Sequence, residues 1–186
     1  DEHSGRVRVG DSEWSARGFR VLGLATKPVD LQPRYSRTDE HDLIFSGFLL
    51  FLDPPKPGIE QTLAGLANLG VQLKIITGDN RQVALHLAEA VGLHVTGVLS
   101  GAELNSLRDE ALWQLAKQAN LFVDVDPNQK ERIILALQKM GHVVGYMGDG
   151  INDAPALYAA DVGISVDQAV DVAKEAADFV LLEHDL

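Results

Sequence analysis

From residue 46 onward, short apolar runs alternate with stretches whose apolar positions recur every three or four residues. The runs have strand length and the recurring positions mark one face of a helix. Strands are predicted at 48–52, 71–76, 95–99, 121–125, 142–147, 162–166 and 179–182. Helices are predicted from 59 to 69, from 83 to 91, over 109–118, over 128–140 and over 168–176. Ile59, Leu63, Leu66 and Leu69 line the first helix, and Val83, Leu87, Ala90 and Val91 the second. Ile133, Ile134 and Leu137 point inward from the longest, and Gly70 and Gly92 supply stops. Strict alternation of this kind predicts an α/β fold: a Rossmann-like parallel sheet with helices on both faces.

Residues 1–45 have a different character. Positions 6–9 alternate like a short strand, 11–16 suit the start of a helix, and 20–25 are expected to form a buried strand through Val21, Leu22 and Leu24. Pro28, Pro33 and the polar run 35–42 then form a connection. The stretch is too short for a core of its own and is expected to be the end of another domain or an added layer. The expected division is therefore 1–45 and 46–186.

Composition narrows the function. A net charge of −11 opposes a nucleic-acid surface, which needs clustered Lys and Arg. The absence of cysteine excludes disulfides and thiolate metal sites. The longest apolar run, 44–52, falls short of the ~18 residues of a spanning helix. Residues 1–4 have no basic region leading into an apolar core, so neither a signal peptide nor membrane contact by this stretch is expected.

The chemistry concentrates after the strand at 142–147, in Gly148-Asp149-Gly150-Ile151-Asn152-Asp153-Ala154-Pro155-Ala156-Leu157. Asp149 is expected at a carboxyl-terminal strand end, where open α/β sheets hold ligands. Gly148 and Gly150 are expected to permit tight turns. Asp153 lies four positions on and Pro155 suits a first helical turn, so the two carboxylates are expected to face one Mg2+. Thr77 and Gly78, followed by Asp79, end another strand and suit a phosphate cradle, or else a helix cap. Lys130, early in a helix after Asp126-Pro127-Asn128, is placed to neutralise charge on a transferring phosphoryl group, although a single helical Lys is usually only solvated surface.

The ten-residue string resembles the hinge motif of P-type cation-transporting ATPases, whose phosphorylation domain is haloacid dehalogenase-like. The order of strand-Thr77, Lys130 and the Asp149–Asp153 pair resembles motifs two to four of that superfamily. Asp53-Pro54-Pro55-Lys56 resembles the segment that re-enters the phosphorylation domain, with Lys56 in place of the usual Arg, a swap that loses the bidentate fork. Gly18-Phe19-Arg20-Val21-Leu22 resembles the end of a nucleotide-binding domain. Asp161-Val162-Gly163-Ile164-Ser165-Val166-Asp167, Val172-Ala173-Lys174-Glu175 and Leu181-Leu182-Glu183-His184-Asp185-Leu186 most resemble bacterial magnesium-transporting members.

The resemblance implies a soluble cytosolic portion of an integral membrane pump, on the cytoplasmic side of the inner membrane. It implies Mg2+ as cofactor and ATP as substrate of the full-length protein. The nucleotide, actuator and transmembrane domains of the same polypeptide become the partners. Thr77, Lys130, Asp149 and Asp153 would be catalytic, with Asp149 and Asp153 on the metal. Asp53, Lys56, Gly78, Asp79 and Asn152 would join Thr77 and Lys130 around phosphate or nucleotide. The family's nucleophile, the Asp of an Asp-Lys-Thr-Gly-Thr string, is absent from this sequence, so the isolated chain is expected to be inactive. Asp124-Val125-Asp126 has the spacing of a nucleophile motif but follows Thr77 in the chain. Two other readings stay open: a stand-alone phosphatase using Asp53, and a non-enzymatic regulatory or assembly module.

Overall fold

The computed structural model describes residues 13–182. The chain divides into two compact units, Asp1–Pro54 and Pro55–Leu186. In the first, strands β1 (Arg20–Thr26) and β2 (Ile44–Phe51) pair antiparallel, with Arg20 opposite Phe51 and Thr26 opposite Ile44. The connection between them carries a single 3-10 turn, Arg37–Asp39, closed by a bond from the Ser36 backbone N–H to Asp39 Oδ2.

Two expectations change here. The strand at 20–25 is present but open: Leu22 is 52% and Leu24 44% exposed, because a two-stranded ribbon has too little breadth to bury its own side chains. The apolar run 48–52 belongs to that hairpin through β2 and lies in the first unit, so it does not open the parallel sheet. The expected strand at 6–9 and the beginning of the helix at 11–16 lie outside the described residues, although residues 13–16 are helical.

The second unit is the α/β fold predicted. Its helices are α1 (Ile59–Asn68), α2 (Arg81–Ala90), α3 (Gly101–Ser106), α4 (Asp109–Gln118), α5 (Pro127–Lys139), α6 (Ala154–Ala159) and α7 (Asp171–Ala176). The strands are β3 (Ile75–Ile76), β4 (Val98–Ser100), β5 (Leu121–Val123), β6 (Gly145–Met147), β7 (Val162–Val166) and β8 (Phe179–Leu181). All pairings are parallel, but they fall into two three-stranded sheets, β3-β5-β4 and β6-β7-β8.

One core joins the sheets. Phe122 of β5 and Tyr146 of β6 belong to the same buried cluster, with Leu112 of α4, Ile133 and Ile134 of α5 and Leu157 of α6. Leu121 and Val123 point to the opposite face, against Ala84 of α2. Burial on both faces explains why β5 is a continuous apolar run with no alternation.

Local chemistry sets the boundaries. Asn80 caps α2 by accepting from the N–H groups of Gln82 and Val83, and Gly70 and Gly92 adopt left-handed φ values of +78° and +70° just past α1 and α2. Asp126 caps α5 through a reciprocal pair: Gln129 N–H donates to Asp126 Oδ1, and Asp126 N–H donates to Gln129 Oε1.

Candidate phosphoryl-transfer site

Parallel pairing sends the chain ends after β3 and β5 to one edge of their sheet. Three backbone bonds extend that pairing past the strands: Thr77 N–H to Phe122 O, Val125 N–H to Thr77 O, and Asp124 N–H to Asp79 O. Thr77 therefore stands beside 124–126, the segment that caps α5. Its hydroxyl accepts from the Asp79 N–H at 3.0 Å and lies 3.2 Å from Asp79 Oδ2, to which it donates. The helix cap expected at Thr77 or Asp79 falls instead to Asn80, and Thr77 and Asp79 bond to each other in the turn before it.

Lys130 is in the first turn of α5, pointing away from solvent. Its Nζ donates to Asp153 Oδ1 at 2.7 Å, and the two side chains are only 12% and 11% exposed. Asp153 ends the 3-10 turn Ile151–Asp153 and is buried. It accepts twice more, from the Tyr146 hydroxyl on Oδ1 at 2.7 Å and from the Gly150 N–H on Oδ2 at 3.0 Å. Burial alone would raise its carboxyl, but the bonds from Lys130, Tyr146 and Gly150 outweigh that and hold it below the ordinary aspartate value.

The two carboxylates differ in surroundings: Asp149 is exposed and takes no side-chain hydrogen bond among the described residues, whereas Asp153 spends its oxygens on Lys130, Tyr146 and Gly150. Among the described residues no three His, Cys, Asp or Glu gather as a ready-made ligand set. One open carboxylate suits Mg2+, which keeps most of its waters and takes one or two protein carboxylates.

The glycines of this loop act differently from expectation. Neither Gly148 nor Gly150 has a positive φ. A Cβ on Gly148 would lie 2.5 Å from the Cβ of Asp153, and one on Gly150 would lie 3.3 Å from Asp153 Oδ2. Gly148 needs to be glycine for room, so that Asp153 can fold back over the loop, while the contact at Gly150 is tight. The Gly148 carbonyl is fixed by the buried Ser165 hydroxyl at 2.9 Å, and the Asp149 carbonyl by the Val170 N–H at 3.0 Å.

Among the other expected site residues, Gly78 and Asn152 are exposed at the loops after β3 and β6, and Asp79 is half-buried. Asp53 and Lys56 are exposed where the two units join in sequence, Asp53 two residues past the antiparallel β2. Tyr146 was not anticipated, since in the sequence it is one more apolar position of a strand. A cleft of about 760 Å³ lined by Leu63, Lys74, Leu93, Lys117 and Asn120 opens where the strands begin, and none of the site residues lines it.

Residues 6–161 match the haloacid dehalogenase-like hydrolase family. The chain is 48% identical over 182 residues to magnesium-transporting ATPase, P-type 1, of Salmonella typhimurium, covering 97% of this chain and 20% of that protein. It is 49% identical over 171 residues to the Escherichia coli protein of the same name, covering 91% of this chain and 19% of the relative. Calcium-transporting ATPase 1 of Yarrowia lipolytica is 36% identical over 182 residues, covering 94% of this chain and 19% of that protein. The chain thus spans about a fifth of the length of these curated relatives. No helix among the described residues is long and apolar enough to cross a membrane. With the family matched over more than half its length and a Thr, a paired Lys and two Asp following the strands of a parallel fold, the chain belongs to the haloacid dehalogenase-like hydrolases.

Proposed function

We propose that this chain is the greater part of the phosphorylation domain of an ATP-driven cation transporter, Mg2+ being the cation suggested by the relatives' names. The observation that carries the reading is the Lys130–Asp153 pair: a nearly dry ammonium, already aimed by a carboxylate, sits close to the turn that presents Asp149. Such a preset cation stabilises charge on a transferring phosphoryl group without reorganising.

In this reading Thr77 and Lys130 hold phosphate oxygens, with Gly78 and Asp79 shaping the turn and Asn152 at the rim. Asp149 holds Mg2+, and Asp153 serves the site by holding Lys130. Bound there, Mg2+ supplies charge neutralisation between carboxylate and phosphate. The attacked Asp belongs to a strand outside this sequence. The unpaired edges of β3 and β6, each bonded to one neighbour among the described residues, suit a further parallel strand. The hairpin β1–β2, with Asp53 and Lys56 after it, is the tail of a nucleotide-binding domain and its return to the phosphorylation domain. ATP and the rest of the polypeptide are the partners, on the cytoplasmic side of a membrane.

The test is fluorine NMR of the 186-residue chain with beryllium fluoride and Mg2+, alongside phosphoenzyme formation from ATP by the complete polypeptide. No bound-fluoride signal in the chain, together with Mg2+-dependent phosphoenzyme that Asp149→Asn abolishes, is the expected result. A bound signal in the chain that vanishes in Asp53→Asn overturns the reading in favour of a self-contained phosphatase.

A further inference from the structure

We infer that Tyr146 is a positioning residue for Lys130, fixing through Asp153 the direction in which the ammonium is presented; the inference rests on the phosphoryl-transfer reading of the site. Tyr146 and Lys130 reach the same atom, Asp153 Oδ1, each at 2.7 Å. A carboxylate oxygen offers two in-plane lone pairs. With both taken on Oδ1 and the Gly150 N–H on Oδ2, the carboxylate plane cannot turn, and Oδ1 has no lone pair left for a second ammonium proton. Lys130 therefore gives Asp153 one proton and keeps two for oxygens brought to the sheet edge.

The phenol is well built for the task. Its ring is packed in the core shared by both sheets and is only 8% exposed, so the hydroxyl has one location. Burial foremost, and then Asp153 and Asp149 beside it, push the phenol's pKa far up, so that it remains a donor throughout the working pH range. Ordinary satisfaction of a buried tyrosine needs only some acceptor. Sharing the very oxygen that carries Lys130 is a narrower arrangement, and it predicts a narrower effect.

The test is Tyr146→Phe, which keeps the ring. In the 186-residue chain labelled with 15N-lysine, the Lys130 ammonium resonance is identified by its loss in Lys130→Arg. Tyr146→Phe is expected to change its proton exchange rate by about threefold or more, with the amide spectrum unaltered outside residues 145–155. An unchanged exchange rate and shift would overturn the inference. In the complete polypeptide the same variant is expected to lower kcat about tenfold with KM for ATP within about twofold, the pattern of a misplaced group in the transition state. A normal kcat would likewise refute it. Failure of the wild-type polypeptide to form any phosphoenzyme would sink the functional reading instead, and the ammonium measurement would still decide the role of Tyr146.

Discussion

Gly148 and Asp153 occupy adjoining space: a methyl group on Gly148 would stand 2.5 Å from the Cβ of Asp153 and 2.8 Å from its Cγ. The loop closes over itself at this point, and the smallest residue is what allows the carboxylate to reach back to Lys130, Tyr146 and Gly150.

Gly148→Ala is accordingly expected to destabilise the second unit by about 1–3 kcal/mol, the usual cost of overpacking a tight interior. Urea unfolding followed by circular dichroism measures it. A loss below about 0.5 kcal/mol would mean that the loop yields easily and that the crowding has no energetic weight.

Lys130→Met leaves Asp153 buried without its cation, and breaking a pair this little exposed is expected to cost about 2–3 kcal/mol at pH 7. The pH dependence follows from Asp153. Its carboxyl is held below the ordinary value of 3.8 in the fold, so its bonds stabilise the fold fully above that value and lose their contribution as pH falls through the lower folded value. The stability gap between wild type and Lys130→Met should therefore be widest near neutrality and shrink below about pH 3.8. Urea midpoints at pH 7 and pH 3 test this, and an equal gap at both would contradict it.

Lys74 closes the far end of another helix. Its Nζ donates to the carbonyls of Ala116, Lys117 and Ala119, at 2.9, 3.1 and 2.5 Å, where α4 ends. Burial pushes its pKa below the usual lysine value, yet three carbonyls at a helix C-terminus suit a cation. Lys74→Met is expected to cost about 1–2 kcal/mol and to speed amide exchange over 116–120, with exchange in α5 unchanged. Uniform protection in both proteins would show that water replaces the lysine at no cost.

Arg132 ties α5 to α3, to the loop after it and to the first residue of α4. It donates to the carbonyls of Leu104 and Leu107 and to Asp109 Oδ1, each at 2.7 Å. A lysine has no planar fork to reach all three at once. Arg132→Lys is expected to lose about 1–2 kcal/mol, read as a lower urea midpoint with an unchanged slope. Stability within about 0.3 kcal/mol of wild type would show that a single charge suffices.

Much of this fold was legible because its signals are local. The helix predicted at 109–118 is α4 to the residue, and that predicted at 128–140 is α5 shifted by one. α3 was missed: six residues are too few for periodicity, although Ser100 and Glu103 form a capping box that announces a helix. The run 48–52 reads as a strand of the parallel sheet because an apolar run looks the same in any pairing, and only the partner β1 decides the direction of β2. At the site, spacing pointed to Asp149 and Asp153 and the order of motifs to Lys130, but neither could show which of them pair. Asp153 meets Lys130 across 23 positions, and Tyr146 joins them because of how the 150–153 turn folds back. Nothing in a strand of apolar residues distinguishes a phenol that binds from one that fills space.

The bond from Val125 N–H to Thr77 O has a mechanical consequence. Asp126 follows immediately and anchors the helix that carries Lys130. The hydroxyl and the ammonium are thus carried by two segments tied to each other directly through the backbone. A ligand that reached both groups would meet them at a spacing that this backbone tie sets.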